Sequence, residues 1–303
     1  MPKILFLPDE CHVDVRLKDT VLKASLKAKI PHLHVCRGRA RCSTCRIIVE
    51  EGLENCSPRT DRESKLANRL HFGPEVRLAC QTKVTGNIKV RRPVLDKIDM
   101  QITNQLRRKG DMRHYGEEKR IGILFCDIIG YTPFAESLPA YDVVHVLNRY
   151  YFQMNQVIER NGGEISDFIG DGLLALFGTN NTNNCAINAV KAGLEMNKAM
   201  KELNPYLQSM YGKTFEIRIG VHYGNVVIGT FGNSKLAKIS AIGDAVNFAS
   251  RIEEANKKTN TKFLISEETY SAVRDQITIG KDFSMEIRGK KGEYKLYEVL
   301  GIN

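Results

Sequence analysis

Four cysteines place the strongest constraint on how this chain can fold. Cys36 and Cys42 are separated by five residues, Cys42 and Cys45 by two, and 34 residues then pass before Cys80. If the four act together, the fold must bring residue 80 back to the 36–45 loop. That loop, HVCRGRARCSTC, carries Gly38 and three arginines, Arg37, Arg39 and Arg41, and has neither helical nor strand periodicity. Five of the eight cysteines fall within 36–80, and clustering of this kind outside an oxidising compartment reads as a metal site rather than a disulfide framework. A zinc site usually shows two close pairs. A triplet with one distant cysteine is instead the layout of a plant-type 2Fe–2S site, usually C-x4-C-x2-C…C. Zinc is the alternative. Cys11 and Cys56 lie outside the pattern.

Short strands are expected at KILFL (3–7), VDVRL (13–17), RIIVEE, VRLAC and NIKVRR. Helices are expected over VLKASLKA, with Asp19 as its cap, and over DRESKLANRL. On HVCRGRARCSTCRIIV with RLACQT, residues 1–93 resemble ferredoxins of the plant and adrenodoxin type, and the five-residue first gap matches the adrenodoxin-like branch. The resemblance implies a β-grasp fold with Cys36, Cys42, Cys45 and Cys80 holding a 2Fe–2S cluster.

With 303 residues the chain has room for about two domains. Its net charge of +10 is uneven: residues 1–93 hold 19 Lys and Arg against 10 Asp and Glu, the rest 26 against 25. The sequence has no nucleic-acid motif, so a solvated surface or an acidic electron-transfer partner is expected for the basic first domain, and nucleic acid is not. No apolar run approaches the ~18–20 residues of a membrane span, and the N-terminus does not read as a signal peptide. A cytoplasmic protein is the expectation. Between the domains, residues 94–118 carry Leu95, Ile98, Ile102 and Leu106 on one helical stripe, the pattern of a helical linker.

The second domain, 119–303, alternates strand and helix patterns and is read as α+β, with a helix expected over NAVKAGLEMNKAMKEL, ending at Leu203, and separate strands at FEIRIGVHYG and VVIGTFG. It opens on the buried-strand pattern IGILFCDIIG, which ends on Asp127; an acid there is costly unless it meets a cation. The following IIGYT, with Gly130 and Thr132, can turn backbone amides toward phosphates. NGGEISDFIGDGLLALFG (161–178) reads as a β-hairpin with Asp171 at its tip. Two carboxylates so placed suit two Mg²⁺ or Mn²⁺ ions.

FCDIIGYTPF, DFIGDGLLALFG and GDAVNFASRIE together resemble the catalytic domain of class III nucleotide cyclases. The resemblance implies a ferredoxin-like βαββαβ fold and a homodimer with two sites. Asp127, Asp171 and the carbonyl of Ile128 match the metal ligands. Asn247 and Arg251, one helical turn apart, match the pair that holds the ribose and stabilises charge on the α-phosphoryl group. Lys290 matches a lysine that binds the triphosphate.

Asp167 stands where adenylate cyclases of this family commonly carry an adenine-selecting lysine, and Ser240 stands at the partner position. An ionised carboxylate only accepts hydrogen bonds, whereas a serine hydroxyl can also donate. Asp167 accepting from guanine N1–H and Ser240 donating to O6 would suit GTP. Asp167 accepting from the adenine N6 amine would suit ATP. The adopted reading is an adenylate cyclase, with GTP as the alternative substrate. A non-catalytic nucleotide-binding redox sensor is the rival of a different class.

Overall fold

The computed structural model describes residues 1–93, 116–231 and 238–303. The linker helix expected over 94–118 therefore falls, up to residue 115, outside the described residues. Its last two residues, Glu117 and Glu118, belong to a strand. The chain divides into two compact units between Glu117 and Glu118.

The first unit is a five-stranded mixed sheet in the order β2-β1-β5-β3-β4, built from β1 (Lys3–Leu7), β2 (Cys11–Asp14), β3 (Arg46–Glu51), β4 (Val76–Leu78) and β5 (Ile88–Arg91). β1 and β5 run parallel and the other pairs antiparallel. Ile4, Phe6, Ile47, Leu78 and Val90 alternate inward to form a core with Val21 and Leu22 of α1 (Val21–Lys27), the β-grasp arrangement. Asp19 does not cap α1. Thr20 does, its side chain accepting from the Lys23 amide, while buried Asp19 binds the ammonium groups of Lys23 and Lys27 at 2.8 and 2.7 Å. Thr60 caps α2 (Asp61–Arg69) in the same way. Glu63 of α2 is 1% exposed. It receives Arg77 Nε at 3.0 Å and the Leu78 amide at 2.7 Å, tying α2 to the strand that leads into Cys80.

The second unit is an eight-stranded sheet. Its continuous path is β12-β13-β11-β9-β6-β8-β7, with β10 pairing β9. The strands are β6 (Glu117–Ile129), β7 (Gly163–Ile169), β8 (Gly172–Phe177), β9 (Glu216–Phe231), β10 (Lys238–Ile242), β11 (Phe263–Ser266), β12 (Ile277–Glu286) and β13 (Glu293–Ile302). The helices are α3 (Tyr131–Ser137), α4 (Ala140–Arg160), α5 (Cys185–Tyr211), α6 (Asp244–Thr259) and α7 (Glu267–Val273). β6-α4-β7-β8-α5-β9 is the βαββαβ unit, and its strands stand side by side as β9-β6-β8-β7.

Alternation on β6 divides the core. Leu124, Cys126 and Ile128 pack with Tyr150 and Met154 of α4 and Ala189 and Met196 of α5; Ile121 and Ile123 pack with Ala245 and Ala249 of α6 on the other face. Two glycines let helices lie against the strand backbone. A Cβ on Gly122 would stand 2.6 Å from the Cys185 carbonyl, and one on Gly220 would stand 2.2 Å from the Glu253 amide of α6.

Two expectations differ from the structure. FEIRIGVHYG and VVIGTFG form one continuous strand, because β9 pairs with β11 through its first half and with β10 through its second. α5 also runs past the expected end at Leu203, through Pro205 to Tyr211. Leu207 is fully buried there, and the Asn204 amide clamps the backbone of Phe215 with bonds of 2.8 and 2.9 Å.

Candidate active site and iron–sulfur site

In the second unit, the antiparallel register Cys126↔Leu173 brings the end of β6 beside the β7–β8 turn. That turn is Gly170-Asp171, with Gly170 at φ +64, a conformation glycine adopts without strain. Asp127 and Asp171 consequently share one site. Burial and the adjacent Asp127 charge push the Asp171 carboxyl up to about 6. The Tyr151 hydroxyl donates to the Gly170 carbonyl, and its ring lies 4.3 Å from that of Phe168, so α4 steadies the turn.

The site also holds two residues that sequence reasoning missed. Arg218 of β9 donates through Nε to Glu253 Oε1 at 3.2 Å and approaches Asp127 Oδ2 with Nη2 at 3.4 Å. Glu253 lies on α6, two residues after Arg251; burial, with Asp127 nearby, pushes its carboxyl up to about 7. The available signal was Arg218 itself, a charged residue between Ile217 and Ile219 of the strand FEIRIG.

Asp127 and Asp171 fit a divalent cation on this chemistry, since two carboxylates forced together through burial gain most from a cation. Among the described residues no three His, Cys, Asp or Glu side chains form a single-ion cage. Substrate oxygens would complete such a site, as is usual for Mg²⁺. Gly130, at φ +74, is the residue before α3, and Thr132 lies exposed in its first turn.

Asn247 and Arg251 share the outer side of α6. Asn247 is exposed, and Arg251 pairs with Glu254 at 3.1 Å. Lys290 forms an ion pair with Asp244 and stands 4.6 Å over the Phe248 ring, whereas Lys291 is exposed. Neither Arg251 nor Lys290 forms an ion pair with Asp127 or Asp171. A bulge skips Ser166 between the pairs Ile165↔Ala175 and Asp167↔Leu174. It leaves Asp167 exposed, with Oδ1 accepting from the Phe168 amide at 3.0 Å, and Ser166 Oγ buried without a partner among the described residues. Ser240 is half-buried in β10, opposite Gly229.

In the first unit, Cys36, Cys42, Cys45 and Cys80 converge in two pairs. The Cys42 thiol donates to Cys36, holding Cys36 down at about 5, with the backbone amides of Arg41, Arg39 and Cys42 adding to the effect. The Cys45 thiol donates to Cys80, holding it down at about 7. The donors Cys42 and Cys45 are pushed up accordingly. Arg37, Gly38 and Ala40 adopt positive φ values of 55, 80 and 54, which turn the loop's amides inward. Two sulfur pairs, with amides aimed at them, fit two irons bridged by sulfides.

Comparison with known proteins matches each of the two units to a known family. Residues 114–301 match the family model for the adenylate and guanylate cyclase catalytic domain, and residues 6–85 match that for the 2Fe-2S iron-sulfur cluster binding domain. An adenylate cyclase of Anabaena cylindrica is 36% identical over 192 residues, which cover 60% of this chain and 37% of the relative. The chain thus spans well under two thirds of the length of that curated relative. Among solved structures, the guanylyl cyclase Cya2 superposes with a TM-score of 0.59 at 34% identity, covering 62% of this chain and 95% of that one. The adenylyl cyclase CyaB from P. aeruginosa superposes with a TM-score of 0.57 at 31% identity, covering 61% and 95%. The chain belongs to the adenylate and guanylate cyclase family, with a 2Fe–2S ferredoxin domain preceding its catalytic domain.

Proposed function

We propose that this chain is an adenylate cyclase acting as a homodimer, which converts ATP to cyclic AMP and pyrophosphate. The observation that carries this reading is the Asp127–Asp171 pair, held at one point by the β6–β8 register and the Gly170-Asp171 turn. Asp127, Asp171 and the Ile128 carbonyl would hold two Mg²⁺ or Mn²⁺ ions, which when bound supply Lewis acidity for in-line attack on phosphorus. The ribose 3′-oxygen bonds to the α-phosphorus, the bond from that phosphorus to the oxygen bridging to the β-phosphate breaks, and pyrophosphate leaves. Gly130 and Thr132 would offer polar groups to the phosphates, and Lys290 would neutralise the triphosphate after exchanging Asp244 for it.

Asn247 and Arg251 face outward on α6, away from any ion pair with the aspartates, so they serve the site of a second protomer. Exposed Phe168, Ile169 and Ile242 supply apolar surface for that contact. Arg251 would stabilise charge developing on the α-phosphoryl group, and Asn247 would hold the ribose. Asp167 and Ser240 would select the base.

GTP is the second reading: the bulge that exposes Asp167 presents a carboxylate acceptor suited to guanine N1–H. The similar structures include both a guanylyl and an adenylyl cyclase. The ferredoxin domain, with its cluster on Cys36, Cys42, Cys45 and Cys80, would set turnover by its redox state in the cytoplasm, fed by an acidic electron-transfer partner.

Complementation tests the shared site. Asp127→Asn and Arg251→Ala are each inactive alone. Mixed as equal dissociated protomers, they regain about a quarter of wild-type turnover, because half the dimers then hold one intact site. No recovery with dimers present refutes the shared site. Running the assay with ATP and GTP separately decides the base, and nucleotide binding without pyrophosphate release from either would leave the sensor reading.

A further inference from the structure

Cys80 is followed by Gln81, and the two residues meet through their side chains. Gln81 Nε2 stands 3.4 Å from Cys80 Sγ, 3.1 Å from the Gly38 carbonyl and 3.3 Å from the Cys80 carbonyl. Sulfur's larger radius makes 3.4 Å a normal N–H···S separation. Thr60 fixes which end of the amide faces the sulfur. As the cap of α2, Thr60 Oγ1 accepts from the Glu63 amide, which leaves its proton to donate to Gln81 Oε1 at 3.1 Å. With the carbonyl end of the amide committed to Thr60, only the NH₂ end can face Cys80. One of its protons goes to Gly38 in the cysteine loop; the other is shared between the sulfur and the carbonyl of Cys80.

We propose that Gln81 sets the reduction potential of the iron–sulfur domain by donating an N–H···S bond to Cys80, with Thr60 holding its amide in that orientation. The proposal rests on the reading that Cys36, Cys42, Cys45 and Cys80 hold a 2Fe–2S cluster. Oxidised, such a cluster with four thiolates carries a charge of −2, and one added electron makes it −3. A donor aimed at a ligating sulfur strengthens as that sulfur gains negative charge, so it favours the reduced state and raises the potential. Gln81 acts by a dipole with no net charge, so its effect persists at salt concentrations that screen the surrounding arginines. The bond to Gly38 has a second consequence: Gln81 spans the cysteine loop and the segment bearing the distant ligand, and so keeps the dipole aimed.

The test is potentiometric titration of the full chain with dithionite, followed by visible absorption and electron paramagnetic resonance, with iron and sulfide assayed on each variant. Gln81→Met keeps an unbranched side chain and removes the donor. At the ambient potential where the wild type is half reduced, its ratio of reduced to oxidised cluster falls about tenfold, equivalent to 59 mV for a one-electron couple. Gln81→Glu falls further, because a carboxylate adds negative charge. Thr60→Val leaves Gln81 in place, frees its amide to rotate, and falls in the same direction by less. These shifts hold at high salt. Potentials of Gln81→Met and Thr60→Val that match the wild type, with full iron and sulfide, overturn the proposal. Loss of the cluster from Gln81→Met together with an unshifted Thr60→Val also overturns it, and makes Gln81 a brace only. A wild-type chain that binds no iron and sulfide refutes the cluster reading itself, a separate result.

Discussion

Replacing Arg218 with Met removes the cation shared by Glu253 and Asp127 while keeping an unbranched stem. The guanidinium reaches Glu253 at 3.2 Å and Asp127 at 3.4 Å, and the Arg218 and Glu253 side chains are only 14% and 12% exposed. Removing one partner of a buried ion pair costs ~3–5 kcal/mol, because the other charge is left without compensation. Two features reduce that here. The Asp127 contact is long and Asp127 is partly solvated, and Glu253, already pushed up to about 7, can take a proton instead of remaining charged. The expected loss is therefore about 2 kcal/mol at pH 8. The sign with pH follows. Above about 7 the wild-type Glu253 is ionised and paired, and the variant loses most. At pH 6 Glu253 is protonated in both, and the loss shrinks. Denaturant unfolding followed by far-ultraviolet circular dichroism measures the catalytic domain, with cluster absorbance reporting the first domain separately. A loss under about 0.5 kcal/mol at pH 8, or an equal loss at pH 6 and pH 8, would refute the reasoning. Adding Glu253→Gln to Arg218→Met should restore part of the stability.

Arg77→Met leaves Glu63, 1% exposed, charged and unpaired beside the strand leading to Cys80; a cost of ~3–5 kcal/mol should release the cluster and flatten its visible spectrum while the catalytic domain keeps its circular dichroism. His32 and His222 are held neutral, pushed down to about 4 by burial, while the unfolded chain takes a proton near its ordinary value of 6.5. Stability is thus complete above pH 6.5 and falls as pH drops from there through 4, by up to about 3 kcal/mol for each histidine. Denaturation midpoints at pH 7 and pH 4.5 measure it, and His32→Gln should flatten the slope in the iron–sulfur domain only.

Features carried by local chemistry were legible in the sequence. The cysteine spacing marks its loop because ligand geometry demands it. Gly170-Asp171-Gly172 marks its turn because φ is restricted there, and the acid ending GILFCD marks a site because burying it alone is costly. What escaped depends on contacts between distant segments. Arg218 and Glu253 are 35 residues apart and meet only when α6 lies on β9. The bulge that skips Ser166 has no glycine to announce it; it follows from pairing with β8. Asp19 and Thr20 are both capping types, and the choice between them is made by Lys23 and Lys27 drawing Asp19 aside. Strand continuity from Glu216 to Phe231 is set by the neighbours β10 and β11 rather than by its own residues.

Gly220 gives α6 no side-chain cushion: the helix backbone rests on the β9 backbone. A helix in that position cannot slide or rotate without breaking main-chain contact, since packed interiors yield in discrete jumps and not by gradual deformation. In the proposed homodimer, Asn247 and Arg251 would therefore be carried as a fixed tooth on each protomer, and Asp127 and Asp171 as a fixed socket. A redox signal from the N-terminal domain, as proposed above, would have little to gain by reshaping either part. On that proposal its leverage would lie in how often tooth and socket of two protomers engage, which would make activity a matter of alignment and predicts steep dependence on protomer concentration wherever the dimer is weak.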